Sequence, residues 1–197
     1  MRPPPPDHVG DPVGTSRWAP LPNLLTLIRL LLVPVLGVLL LADDGADAGL
    51  RWWAMAVFIV AALTDLADGE IARRSGTITN LGKIADPVAD KALTGVALIG
   101  LSILGDLPWW VTIVILAREV AVTILRFAVI RHGVIPASRG GKAKTVAQVV
   151  AIGLYLAPLP DAFDAVRVAA MAIAVILTLV TGVDYAVQAR RLMRAAR

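Results

Sequence analysis

The sequence predicts an all-α, polytopic membrane protein with six transmembrane helices, and three observations carry that expectation. Apolar residues make up 57% of the chain against 17% charged, and the mean hydropathy is +0.75, far above the level of a soluble globular domain. The apolar residues gather into six runs, at 21–42, 52–67, 88–104, 108–130, 146–159 and 166–187, each near the length of about 20 residues that a helix needs to cross hydrocarbon. On the connections between these runs, the lysines and arginines other than Arg51 fall on alternate ones, the asymmetry that sets membrane orientation.

Taken in order, "MRPPPPDHVGDPVGTSRWAP" at 1–20 is a proline-rich polar leader, expected to be disordered, with a polyproline ligand as the alternative. It is not a signal peptide, because no apolar core and small-residue cleavage site follow Arg2. Asn23 or Thr26 caps the start of the first span. The second and fifth spans are the short ones. The connection "DDGADAG" after the first span is acidic, and those near 105–107 and 158–165 contain no lysine or arginine. On the other side lie Arg73, Arg74, Lys83, Arg131, Arg139, Lys142, Lys144 and the final "RRLMRAAR", so both termini are expected in the cytoplasm. An isoelectric point near 10.0 raises the question of nucleic acid. The basic residues, however, sit as short clusters beside spans, where anionic lipid headgroups are the simpler partner, and no nucleic-acid role is expected. There is no internal repeat, no cysteine and hence no disulfide, and residues 21–197 read as one catalytic domain.

The chemistry concentrates in "TDLADGEIARRSGTITNLGKIADPVAD", residues 64–90. Asp65 and Asp68 are three apart at the end of the second span, and Asp86 and Asp90 four apart at the start of the third, so each pair shares a helix face. The short connection between them suits a helical hairpin that converges all four carboxylates, with Gly76 and Gly82 permitting a tight turn. Such a cluster is costly to desolvate without cations, and two divalent ions supply the matching charge. Oxygen-only ligands favour Mg²⁺ or Mn²⁺ over zinc, and such ions complete their shells with phosphate oxygens. A phosphorylated substrate follows: Gly69 and Ala72 leave room for a nucleotide, and Arg73 grips a diphosphate with its planar fork. Either aspartate pair alone is the ordinary pattern of a solvated cap. Together they indicate a functional site, of an enzyme or of a cation-coupled transporter.

The run Asp65-x2-Asp68-Gly69-x2-Ala72-Arg73-x8-Gly82-x3-Asp86-x3-Asp90 resembles, at all eight of its fixed positions, the signature of the CDP-alcohol phosphotransferases. The resemblance implies integral membrane enzymes of six transmembrane helices, generally homodimers, that replace the CMP of a CDP-linked alcohol by another hydroxyl compound. It implies that Asp65, Asp68 and Asp86 hold a pair of metal ions, with Asp90 both a ligand of the second ion and the general base. It further implies that Gly69, Arg73 and Thr79 contact the CDP portion, and Asn23, Thr26, Ala72 and Gly82 are grouped with them as the CDP-diacylglycerol site. The stretches "LPNLLTLIRLLLVP", "DPVADK", "AREVAVTILR" and "GKAKTVAQ" resemble the members that use CDP-diacylglycerol and glycerol 3-phosphate. Members that use phosphatidylglycerol or inositol phosphate share the same core.

The fourth span carries a polar stripe of Glu119, Thr123 and Arg126. Arg118 is sequence-adjacent to Glu119 and is expected to be free for a ligand. With Arg126, Lys142 and Lys144 it is read as the pocket for the acceptor's phosphate. The alternative is that Glu119 and Arg126 form a structural pair and the lysines meet lipid headgroups. A transporter places its carboxylates near the bilayer midplane, whereas these cluster at the cytoplasmic end beside Arg73. The placement favours the enzyme.

Overall fold

The computed structural model describes the backbone of residues 21–75, 80–129 and 139–195, and the side chains of 27–64, 91–129 and 140–194. The leader at 1–20 lies outside the described residues. Among them, six α-helices follow one another without a strand: α1 (Leu21–Leu41), α2 (Ala48–Ser75), α3 (Asn80–Ile103), α4 (Trp109–Val129), α5 (Arg139–Leu156) and α6 (Asp164–Ala195). Short 3₁₀ turns at Ala42–Gly45 and Asp161–Phe163 lead into α2 and α6. In the first of these, Asp43 and Asp44 take φ of 52° and 49° ahead of Gly45 at 71°, a left-handed stretch that aspartate tolerates better than bulkier residues.

α2, α3, α5 and α6 are longer than the apolar runs that announce them. Glu70, Ile71, Ala72, Arg73 and Arg74 continue α2 because most are good helix formers, and α3 has already begun at Asn80. Gly82, expected in a tight turn, therefore lies inside α3, and the connection shrinks to 76–79, which with Gly76 and Thr79 lies outside the described residues. One stretch among the described residues, Asp161–Arg194, is long and apolar enough to cross a membrane by length and composition, its most apolar 18 residues having a mean hydropathy of 2.2. Ala48–Thr64 and Lys91–Ile103 are apolar but shorter. The six-span count is thus not confirmed on those grounds. One physical reason is visible in α4, where Arg118, Glu119 and Arg126 interrupt the apolar sequence.

The core is built from apolar residues at helical spacing. Leu36 and Leu40 of α1, Ala54, Phe58 and Ala61 of α2, Leu93, Ala97 and Leu101 of α3, Ile115 of α4, Ile152 and Leu156 of α5 and Ala174 of α6 are all buried. α1 lies against both α2 and α3, while α6 packs on α5 and α4. The crossing of α1 and α3 is close because Gly100 has no side chain. A Cβ there would meet Leu40 Cδ2 at 2.6 Å, the small-residue packing common between apolar helices. Polar ties reinforce the bundle: Ser102 Oγ and Thr112 Oγ1 share a hydrogen bond of 2.7 Å between α3 and α4, and Gln148 Nε2 donates to Thr178 Oγ1 at 3.0 Å between α5 and α6.

At the end of the bundle away from the aspartates, Arg51 binds three elements together. Its Nη1 lies 2.7 Å from Asp106 Oδ2, Nη2 donates to Tyr155 O at 2.7 Å, and Nε donates to Leu156 O at 3.3 Å. Arg51 of α2 thereby satisfies carbonyls at the C-terminus of α5 that have no partner within their own helix. Charge-assisted hydrogen bonds of this kind are worth about 1.5–3 kcal/mol each, less where water competes. Arg51→Ala is therefore expected to cost about 2–4 kcal/mol. A fall in the melting temperature of the detergent-purified protein, with turnover per folded molecule retained, is the measurement that checks it.

Candidate active site

Helical backbone places Asp65 and Asp68 one turn apart on α2, and Asp86 and Asp90 one turn apart on α3. α2 continues to Ser75 and α3 starts at Asn80, so the pairs lie inside the two helices, not at their termini. Gly69, Ala72 and Arg73 belong to α2, Gly82 to α3, and Asn23 and Thr26 to α1. The side chains of all these positions lie outside the described residues, as does Thr79 altogether.

Next to this region the described residues form a cavity of about 210 Å³. Arg29 of α1, Lys91 of α3, Glu119 of α4, and Lys144 and Gln148 of α5 supply most of its polar lining, and Phe58, Leu116 and Ile152 part of its apolar wall. Its position in the bundle is defined by its neighbours. Ala62 and Leu63 on α2 come within one turn before Asp65, and Lys91 directly follows Asp90 on α3. Three cations and one carboxylate line it, and Arg29 and Lys144 are 1% and 8% exposed. N–H donors on cationic side chains beside an apolar wall are suited to an anion with several acceptor oxygens.

The acceptor-pocket residues expected from sequence separate into three groups. Lys144 lines the cavity, and its Nζ lies 2.6 Å from Glu119 Oε1. Lys142 and Arg126 are exposed, and the Arg126 guanidinium lies 6.0 Å from the centre of the Tyr185 ring. Arg118 corrects the sequence reading, since it is not free. Its Nε donates to Thr178 O at 2.9 Å, Nη2 to Thr181 Oγ1 at 2.7 Å and Nη1 to Glu119 Oε1 at 3.1 Å. Adjacent positions on a helix point about 100° apart, yet the long Arg118 shaft, drawn toward α6, folds its guanidinium back onto Glu119. The alternative pairing of Glu119 with Arg126 is also corrected, because Glu119 pairs with Lys144 and Arg118. Thr123 Oγ1 turns to its own helix and donates to Glu119 O at 2.8 Å.

Arg29, Lys91 and Gln148 line the cavity without having been singled out from sequence. A signal for Arg29 was present: it is a lone cation within an apolar helix, and an ionisable residue so placed marks a functional site by default. A larger cavity of about 510 Å³ lies at the opposite end of the bundle, where Arg51 and Arg167 face Asp106 and Asp164. There Arg167 pairs with Asp164 at 2.9 Å and donates to Leu159 O at 2.6 Å, so its charges are matched within the protein.

The profile of a family described as CDP-alcohol phosphatidyltransferase matches residues 19–180. A probable phosphatidylglycerophosphate synthase of Mycobacterium tuberculosis (strain H37Rv) is 53% identical over 184 residues, covering 93% of this chain and 88% of that protein. A CDP-diacylglycerol–glycerol-3-phosphate 3-phosphatidyltransferase of Bacillus subtilis is 39% identical, covering 84% of this chain and 92% of the relative. A CMP-forming cardiolipin synthase of Streptomyces coelicolor is 34% identical over 93% of this chain and 88% of its own length.

Proposed function

Because the chain belongs to the CDP-alcohol phosphatidyltransferase family, we propose that it transfers the phosphatidyl group of CDP-diacylglycerol to glycerol 3-phosphate. The products are phosphatidylglycerophosphate and CMP. The acceptor hydroxyl attacks the phosphorus that bears diacylglycerol, and the bond from that phosphorus to the bridging oxygen breaks. CMP leaves with the bridging oxygen, and Asp90 takes the hydroxyl proton. Asp65, Asp68, Asp86 and Asp90 form an oxygen-only donor set that fits two Mg²⁺ or Mn²⁺ ions, which when bound supply positive charge at the diphosphate. Asn23, Thr26, Gly69, Ala72, Arg73, Thr79 and Gly82 form the CDP-diacylglycerol side of the site.

The observation that supports a phosphorylated acceptor is the cavity beside Asp90, with Arg29, Lys91 and Lys144 in its wall. Of Arg118, Arg126, Lys142 and Lys144, it is Lys144 that contacts the phosphate. The exposed Lys142 and Arg126 act by drawing the anion to that end of the bundle, and Arg118 acts from behind Glu119. The protein is a multi-pass enzyme of the cytoplasmic membrane with its site and both termini in the cytoplasm, working as a homodimer. The outward apolar faces of α1, α4 and α6 support the membrane placement, with Val38, Ile113, Phe127, Ile176 and Val183 all exposed. Trp52, Trp53, Trp109 and Trp110 are exposed at the end opposite the aspartates, where aromatic residues anchor helices at a membrane interface.

The test is CMP release from CDP-diacylglycerol by purified protein against a panel of glycerol 3-phosphate, phosphatidylglycerol and inositol phosphate. Glycerol 3-phosphate is expected to support turnover. Release supported only by phosphatidylglycerol or inositol phosphate overturns the acceptor assignment, and no release with any of the three overturns the enzyme. Lys144→Gln is expected to raise the KM for glycerol 3-phosphate about tenfold or more, the loss of one charged hydrogen bond, with the KM for CDP-diacylglycerol unchanged. Initial rates with each substrate varied in turn decide it.

A further inference from the structure

Resting on that acceptor reading, we propose that Glu119 is a positioning residue that holds the Lys144 ammonium at the cavity wall and is itself held by an Arg118 clamp on α6. A lysine is a compact charge on a flexible stem. It fixes a phosphate in place only if something fixes the lysine. Glu119 Oε1 does so, at 2.6 Å from Lys144 Nζ, with both side chains mostly buried. An ammonium has three N–H donors. One bond to Glu119 leaves donors for a phosphate oxygen.

The same carboxylate oxygen receives Arg118 Nη1 at 3.1 Å. Arg118 does not line the cavity. Its Nε is fixed on Thr178 O and its Nη2 on Thr181 Oγ1, and because the guanidinium is planar, two fixed edges set the direction of the third. Gly182 is what lets the shaft lie there: a Cβ at that position would meet Arg118 Cγ and Nε at 3.1 Å. α5 is tied to the same stretch of α6, since Gln148, one turn beyond Lys144, donates to Thr178 Oγ1. The chain of contacts thus runs from Thr178, Thr181 and Gly182 through Arg118 and Glu119 to Lys144. Within this chain, Arg118 and Lys144 share the one carboxylate of Glu119. Without the carboxylate, Lys144 and Arg118 repel each other and the ammonium loses its fixed place.

The experiment measures CMP release by the full-length protein in detergent, with each substrate varied, for wild type, Glu119→Gln, Lys144→Gln and the double variant. Glu119→Gln is expected to raise the KM for glycerol 3-phosphate about tenfold, with kcat within about threefold of wild type and the KM for CDP-diacylglycerol unchanged. Because Glu119 acts through Lys144, the double variant should be no worse than Lys144→Gln alone. Gly182→Ala, which alters neither residue but displaces Arg118, should raise the acceptor KM in the same direction by about threefold and keeps the test open should Glu119→Gln fail to fold. An unchanged acceptor KM in both Glu119→Gln and Gly182→Ala overturns the proposal. So does an equal rise in both substrates' KM, or a double variant whose losses multiply. Wild-type CMP release that does not depend on glycerol 3-phosphate is a different result, which overturns the functional reading first and this proposal with it.

Discussion

Asp65→Asn, Asp68→Asn and Asp86→Asn are each expected to abolish CMP release. The amide keeps the size of the carboxylate and its place on the helix but removes one of the four aspartate charges that α2 and α3 carry within this region. Two divalent ions bring four positive charges, so the loss of a single carboxylate leaves the pair uncompensated in surroundings of low dielectric, where the deficit is felt most. The defect should be one of metal affinity. Chelator-treated wild type should bind two Mn²⁺ per chain, each variant should bind fewer, and a large excess of Mg²⁺ or Mn²⁺ should restore part of the activity. Ordinary turnover by all three variants after chelator treatment overturns the two-ion reading, and normal Mn²⁺ binding without turnover moves these residues from metal ligation to another role.

The register of these aspartates was legible in the sequence because it depends only on local periodicity. Spacings of three and four place residues on one face of any α-helix, and α2 and α3 are helical throughout both pairs. The all-α class was legible for the same reason, since each apolar run is longer than a strand. The limits of the helices were not. Apolarity reports which part of a helix avoids water, whereas helix formation continues through residues such as Glu70 and Arg73 that favour it on intrinsic grounds.

What escaped the sequence depends on contacts between distant segments. Arg118 was read as free because its neighbour in sequence was the one partner in view. Its actual partners, Thr178 and Thr181, lie 60 and 63 residues away, and Gly182, which makes room for it, is inconspicuous in a helix of small and apolar residues. Lys144 could be recognised as a cation near the site but not as one already held by Glu119. Arg29 illustrates the opposite case. Its isolation in an apolar run was visible, yet Thr26 is its one polar neighbour three or four residues away on α1, too little to mark the side that faces α2 to α5, and only the assembled bundle brings it to the cavity.

Asp90→Asn is expected to separate catalysis from binding. If Asp90 accepts the proton of the acceptor hydroxyl, the amide at that position removes the base while conserving the shape of the site, and general-base catalysis is commonly worth about 10²- to 10⁴-fold. kcat should fall by that factor, with the binding of CDP-diacylglycerol largely retained. The position on α3 is consistent with such a role: Lys91, the next residue, lines the cavity proposed for the acceptor, so this part of the helix borders both the carboxylate region and that cavity. Equilibrium binding of CDP-diacylglycerol to Asp90→Asn, set beside single-turnover CMP release, makes the distinction. A loss of binding as large as that of Asp65→Asn assigns Asp90 chiefly to the metal pair. Retained binding with a collapsed single-turnover rate assigns it to the proton, because the nucleotide lipid is then in place and only the activation of the hydroxyl is missing.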